Sequence, residues 1–177
     1  MTDYQRPREF SKESMFDVMR RVTNAAAEWM RNAASSSGGL TIGSSSKPKV
    51  KVANTVNYRR LGVVRSGLTT AEVVVPAGAS MPDDGTVRSV RVYITISSSD
   101  AFAARAGSVY NNGATPPYHA VPSGEVLVGH VLIVAAAGTA YTAGSTNLDA
   151  AGLTVTYSDE QSPSWMLDRV LRNGSPL

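Results

Sequence analysis

The chain has 177 residues, 42% of them hydrophobic, which fits one domain of ordinary size with an appendage and a core built without covalent help. It contains no cysteine, which excludes disulfide frameworks, thiolate catalysis, iron–sulfur clusters and cysteine zinc sites. The net charge of +3 is unevenly spread, with 12 Lys/Arg against 5 Asp/Glu in residues 1–65 and 5 against 9 in the remainder. A basic N-terminal third suits an acidic protein surface better than nucleic acid, because no groove-reading motif or platform of base-stacking aromatics accompanies it. The polar N-terminus and the lack of any apolar run near 18 residues predict a soluble chain with neither signal peptide nor membrane span.

The first predicted element is an amphipathic helix that starts at a Ser11 cap, carries Glu13 in its first turn, and runs to about Ala34. Met15, Met19, Val22, Ala26, Trp29 and Ala33 recur three or four residues apart, with Phe16 and Met30 beside them. Each large side chain on that stripe is worth about 1.5–3 kcal/mol when buried, so the stripe calls for a cover. The chain's own sheet and a partner surface are both open as that cover. Residues 35–48, SSSGGLTIGSSSKP, have the composition of a flexible linker, which would make the helix a tethered arm spanning residues 1–48. Next comes KPKVKV, with Lys49 and Lys51 alternating with valine at period two, an edge-strand pattern.

Residues 49–160 read as a β domain. The segments 70–77, 86–97, 125–136 and 152–157 are dense in β-branched and aromatic residues and are separated by turns such as MPDDG and YNNGATPP. Strand follows strand with no helical pattern between them, which predicts a mainly β fold, an antiparallel β-sandwich or barrel-like domain. In 87–96, Val87, Ser89, Arg91, Tyr93 and Thr95 share one face, and Arg88, Val90, Val92, Ile94 and Ile96 share the other. The strand VLVGHVLIV is apolar on both faces, so it belongs at the centre of a sheet or at a subunit interface. Gly129 inside it signals a bulge or a close backbone approach. Residues 161–177 predict a short C-terminal helix, capped by Ser162, opened by Pro163 and closed by Gly174. Its apolar residues include Trp165, Leu167 and Leu171, suited to docking on a sheet or a neighbouring subunit.

Groups able to do chemistry are sparse. The two histidines, His119 in a proline-rich loop and His130 in the apolar strand, have no second metal ligand at a useful local spacing. His130 reads as a core or interface imidazole. There is no GxSxG elbow, and the serine clusters at 35–37, 44–46 and 97–99 read as linker and turn material. Asp83 and Asp84 precede a glycine, as a turn requires, and Asn112-Gly113 is a type I′ turn signal. Neither a catalytic centre, a metal site nor a cofactor is predicted.

The order of segments from Asn54 to Asp159 resembles the decoration, cement or head fibre proteins of tailed bacteriophages. VNYRRLGVVRSG, DDGTVRSVRVYITI and PSGEVLVGHVLIVAAAGTAYTAGSTNLDAAGLTVTYSD carry the likeness, through Pro122, Gly124, Tyr141, Gly144, Leu148, Asp149 and Gly152. The resemblance implies a non-enzymatic trimer on the outer capsid surface that bridges major capsid subunits. On that reading Met15, Phe16, Met19, Val22, Trp29, Met30, Lys47, Lys49 and Lys51 bind the shell, while Val128, His130, Leu132, Trp165, Leu167 and Leu171 form the trimer interface. No nucleic acid or membrane partner is expected. The longer N-terminal arm departs from a bare decoration module. The alternative is a trimeric fibre or receptor-binding module that recognises a host glycan through loop Val109 to Tyr118.

Overall fold

The computed structural model describes residues 15–17, 19–24, 32–45, 47–118 and 121–159. Residues 15–17 and 19–24 are helical. Among the described residues ten strands follow: β1 Ala33–Ala34, β2 Leu40–Ile42, β3 Lys49–Val52, β4 Val56–Arg60, β5 Val63–Leu68, β6 Ala71–Val74, β7 Arg88–Ile96, β8 Phe102–Asn111, β9 Val126–Ala135 and β10 Leu153–Asp159. They form three sheets, ordered β1-β4-β5, β2-β3-β6 and β10-β9-β7-β8, and every pairing between these strands is antiparallel. The mainly β, antiparallel expectation is met. The predicted C-terminal helix, with Trp165, Leu167 and Leu171, lies outside the described residues, as do Trp29 and Met30.

One hydrophobic cluster draws on all three sheets: Val50 and Val52 of β3, Val56 and Tyr58 of β4, Val90, Val92, Ile94 and Ile96 of β7, and Val131 and Ile133 of β9. The period-two reading of β7 holds, since its even-numbered residues from Val90 fill this core. Strand β9 is central, between β10 and β7, as its two apolar faces require. Its pairing with β7 slips between Ile94 and Thr95, where Ile94 faces Gly129 and Thr95 faces Leu127. That bulge shifts the inward phase, so Val126 on one side and Val131, Ile133 and Ala135 on the other all reach the core.

Three expectations about the N-terminal third are overturned. The helix does not run to Ala34, because Ala33 and Ala34 pair with Arg59 and Tyr58 as strand β1. Residues 35–48 are not a free linker. Leu40–Ile42 pair with β3, Ser37 Oγ donates to Asp159 Oδ2 at 2.7 Å, and Leu40 N donates to Asp159 Oδ1 at 3.1 Å. Composition hid this because Gly38 is chosen for fit: a Cβ there would lie 2.6 Å from Val128 Cγ1. Finally, β3 is no edge strand but sits between β2 and β6, with Val50 and Val52 buried and the two lysines half-buried on its other face.

At Gly129 three strands of the fold come close together. A Cβ there would collide with the Ser158 carbonyl of β10 and stand 2.7 Å from Leu40 Cδ1 of β2. Backbone on one side cannot give way, so Gly129→Ala is expected to destabilise the fold by about 3 kcal/mol or more, read as a lowered urea midpoint at unchanged slope.

Candidate functional site

Two surfaces and one buried polar layer stand out. The first surface is the N-terminal helix, where Met15, Phe16 and Met19 are 58%, 71% and 61% exposed and Val22 is half-buried. The second is the β4–β5 hairpin, whose apolar tip was not foreseen as a site. Leu61 and Gly62 form its two-residue turn, both at positive φ (51° and 82°), the geometry of a type I′ connection with leucine where Asn or Asp is usual. Leu61, Val63 and Val64 are 60%, 57% and 68% exposed, so the tip presents three large apolar side chains in four positions. Gly62 after an apolar-basic run was the available sequence signal.

The hairpin is fastened close to its tip by one carboxylate. Asp100, itself at φ 57° in the turn between β7 and β8, accepts from Tyr58 Oη at 2.8 Å, Arg60 Nη2 at 3.0 Å and Arg65 Nη1 at 2.9 Å. Arg60 also donates to the carbonyls of Ser97 and Ser98. Burial, then the hydrogen bond to Asp100, raises the Tyr58 hydroxyl above its ordinary pKa. At the tip, Asn32 Oδ1 accepts from Leu61 N at 2.8 Å, which joins the start of the described β region to the hairpin.

The lysines expected to bind a partner are placed differently from one another. Lys47 is exposed and paired with Asp149. Lys51 donates to Ser44 Oγ at 3.0 Å and stands opposite Glu72 in the β3–β6 register, where Lys49 faces Val74. Glu72 gathers the Ser44–Ser45 turn by accepting from both backbone amides at 2.7 Å and from both hydroxyls. The Ser45 hydroxyl above all lowers the Glu72 carboxyl from 4.5 to about 2.

The expected subunit interface on β9 is corrected for two of its members. Val128 is 1% exposed and closes on Gly38 and Val52 of its own chain. His130 is also buried, its ring meeting the edge of Tyr118 at 5.1 Å. Leu132 is half-buried. What covers His130 is the loop after β8, which lies along the second face of β7. Ser89 Oγ donates to the Ala114 carbonyl, Arg91 donates to that of Pro116 through Nε at 3.2 Å and Nη2 at 3.1 Å, and Tyr93 Oη donates to that of Pro117 at 3.2 Å. The Tyr118 ring lies under the Arg91 guanidinium, 4.0 Å from centroid to Cζ. Tyr118 is thereby turned inward, which argues for packing rather than display. Further along, Thr95 Oγ1 donates to Glu125 Oε2 at 2.9 Å, and Arg105 pairs with the same carboxylate. Arg105 first, then Thr95 among the hydrogen-bond donors, holds Glu125 below its ordinary pKa. These partners lie 20 and 30 residues from Glu125, so sequence reading missed the group.

Asp83 and Asp84 form the turn expected of them, accepting from Gly85 N and Thr86 N, and Arg88 pairs with Asp84. Asn112 and Gly113 both take positive φ, as a type I′ turn demands. Among the described residues, no group of three or more His, Asp or Glu is placed to hold a metal ion, and no helix is long and apolar enough to cross a membrane. Comparison with family models, with curated proteins and with solved structures finds no match to this chain.

Two measurements test this polar chemistry. The Tyr141 hydroxyl is buried without a hydrogen-bond partner among the described residues, and burial pushes its pKa to about 12. Removing an unsatisfied buried hydroxyl while keeping the ring is expected to help, so Tyr141→Phe should stabilise the fold by about 1 kcal/mol in thermal or urea unfolding. For Glu72 the folded pKa lies below the unfolded one, so its contribution is present above about 4.5 and is lost as pH falls toward about 2. Amide NMR shifts of Ser44 and Ser45 in the folded chain should therefore titrate with a midpoint at about 2, and Glu72→Gln should remove the titration.

Proposed function

We propose that this chain is a structural protein of a bacteriophage particle, a capsid decoration protein that sits on the outer surface of the head and bridges major capsid subunits. The single observation that supports this most is the placement of exposed apolar residues. Six of the large ones stand on two elements, the helix with Met15, Phe16 and Met19 and the hairpin tip with Leu61, Val63 and Val64. Concentrated apolar patches on an otherwise polar surface mark sites of protein association. The order of segments from Asn54 to Asp159 supports the family, and the basic N-terminal third supports an acidic partner surface.

In this reading the knob is a β-sandwich, with β2-β3-β6 stacked on β10-β9-β7-β8, an arrangement favoured by the single core cluster that both sheets share. Copies associate as a trimer through Leu132 and the C-terminal residues Trp165, Leu167 and Leu171. The helix and Lys47, Lys49 and Lys51 engage the shell. Cementing then follows from linkage: a protein that binds only the assembled shell stabilises it by mass action, and three linked arms raise avidity without strengthening any one contact.

The boundary of the arm follows from β1 and the Asn32–Leu61 hydrogen bond, so a truncation must stop before Asn32 rather than extend through the linker to residue 48. Deleting residues 1–31 is expected to leave a folded β domain and to abolish occupancy on heads assembled in its presence, scored by co-sedimentation and electron microscopy. Full occupancy by the truncated chain would remove the arm from the mechanism.

A further inference from the structure

A cleft of roughly 230 Å3 opens on the side of the large sheet turned away from the core, between β8 and the loop that covers β7. Tyr93, Arg105, Ala106, Ser108, Val121 and Pro122 are among its lining residues. Two features of the fold build it. In the β7–β8 pairing Val90 faces Val109 while Val92 faces Ala106, so Gly107 and Ser108 together stand opposite Arg91 and the edge strand bulges at the cleft wall. Beside the bulge, the Glu125 side chain is only 7% exposed, yet it is ionically paired with Arg105, whose side chain is 47% exposed. Burying a carboxylate carries a desolvation cost, and here the carboxylate orients a guanidinium that faces solvent.

The attachment decides which donors remain. Glu125 takes Arg105 Nε at 2.8 Å and also Nη2, so one edge of the guanidinium is occupied. The opposite side, with Nη1, makes no hydrogen bond among the described residues and is left for a ligand at the cleft. Because Glu125 already balances the charge of Arg105, an anion would gain attraction from one and repulsion from the other. A neutral ligand with acceptor oxygens suits the pair better. The cleft is smaller than the roughly 300–1,000 Å3 of pockets for drug-sized molecules, which limits the occupant to about one ring. Val121 and Pro122 offer apolar surface to carbon-bound hydrogens, and the Ser108 hydroxyl can both donate and accept. We propose that this cleft binds a single neutral sugar residue, with Arg105 and Ser108 making its polar contacts. The site replaces loop 109–118 as the place where saccharide would be recognised, since Tyr118 of that loop is packed under Arg91. It does not rest on shell binding, and the isolated chain tests it.

The experiment is an NMR titration of the labelled full-length chain with glucose, galactose and N-acetylglucosamine in the millimolar range. At least one sugar should give saturable shifts at the Gly107 and Ser108 amides and at Arg105 Nε. Arg105→Lys, which keeps a cation for Glu125 but loses the planar fork, should weaken binding about tenfold, and Ser108→Trp, at an exposed position, should fill the cleft and abolish it. If Arg105→Lys fails to fold, Ser108→Trp alone gives the same discrimination. The proposal is overturned if none of the three sugars shifts these resonances, or if binding survives Ser108→Trp. It is equally overturned if N-acetylprolinamide, a peptide mimic, binds where the sugars do not.

Discussion

Strand β7 has to satisfy two unlike surfaces at once, and most of the structure is arranged around that demand. Its even-numbered residues, Val90, Val92, Ile94 and Ile96, are fully buried in the common core, each worth about 1.5–3 kcal/mol. Its odd-numbered residues, Ser89, Arg91, Tyr93 and Thr95, are polar and nearly as buried. Those groups must find partners, and they find them in order along one loop, at the carbonyls of Ala114, Pro116 and Pro117 and then at Glu125. Prolines suit such a strap, because their carbonyls remain available while they have no N–H to satisfy. The strap in turn buries His130 and leaves the bulged edge of β8 open beside Arg105.

A second constraint acts at the far end of β9. Gly129 lets β10 and the Leu40 side chain approach together, and Asp159 then fastens Ser37 and Leu40 through two hydrogen bonds. Serine and glycine in this segment do not make it loose. Gly38 fits against Val128 where no side chain could, and the serine hydroxyls serve as donors to Asp159 and Glu72. The described β region is therefore anchored from its first residues. Asn32 lies next to the hairpin tip, bonded to Leu61 N.

Periodicity made the β class, the two-faced pattern of β7, the central place of β9 and the close approach at Gly129 readable from the chain alone. Each depends on neighbours in sequence or on one strand's alternation, which local pattern reports. What stayed hidden depends on long-range partners. The folding of 35–48 turns on Asp159, more than a hundred residues away, and the central place of β3 turns on two strands whose pairing no local signal announces. The Arg105–Glu125–Thr95 group is assembled from three segments. Isolated charges beside apolar strands, Glu125 before VLVGHV and Arg91 within VRVYITI, were the only hint that something polar had to be satisfied inside.

The single carboxylate of Asp100 gives the molecule a mechanical character. Tyr58, Arg60 and Arg65 all converge on it, and it sits in the turn that joins β7 to β8. A tug applied at Leu61 is thus handed through three donors into the turn between β7 and β8 of the large sheet. There it meets rows of backbone hydrogen bonds loaded together rather than one after another. Dissolved salt reaches the two charged arms of that anchor unequally: it screens the Arg65 pair, whose side chain is 43% exposed, more than the Arg60 pair at 11%.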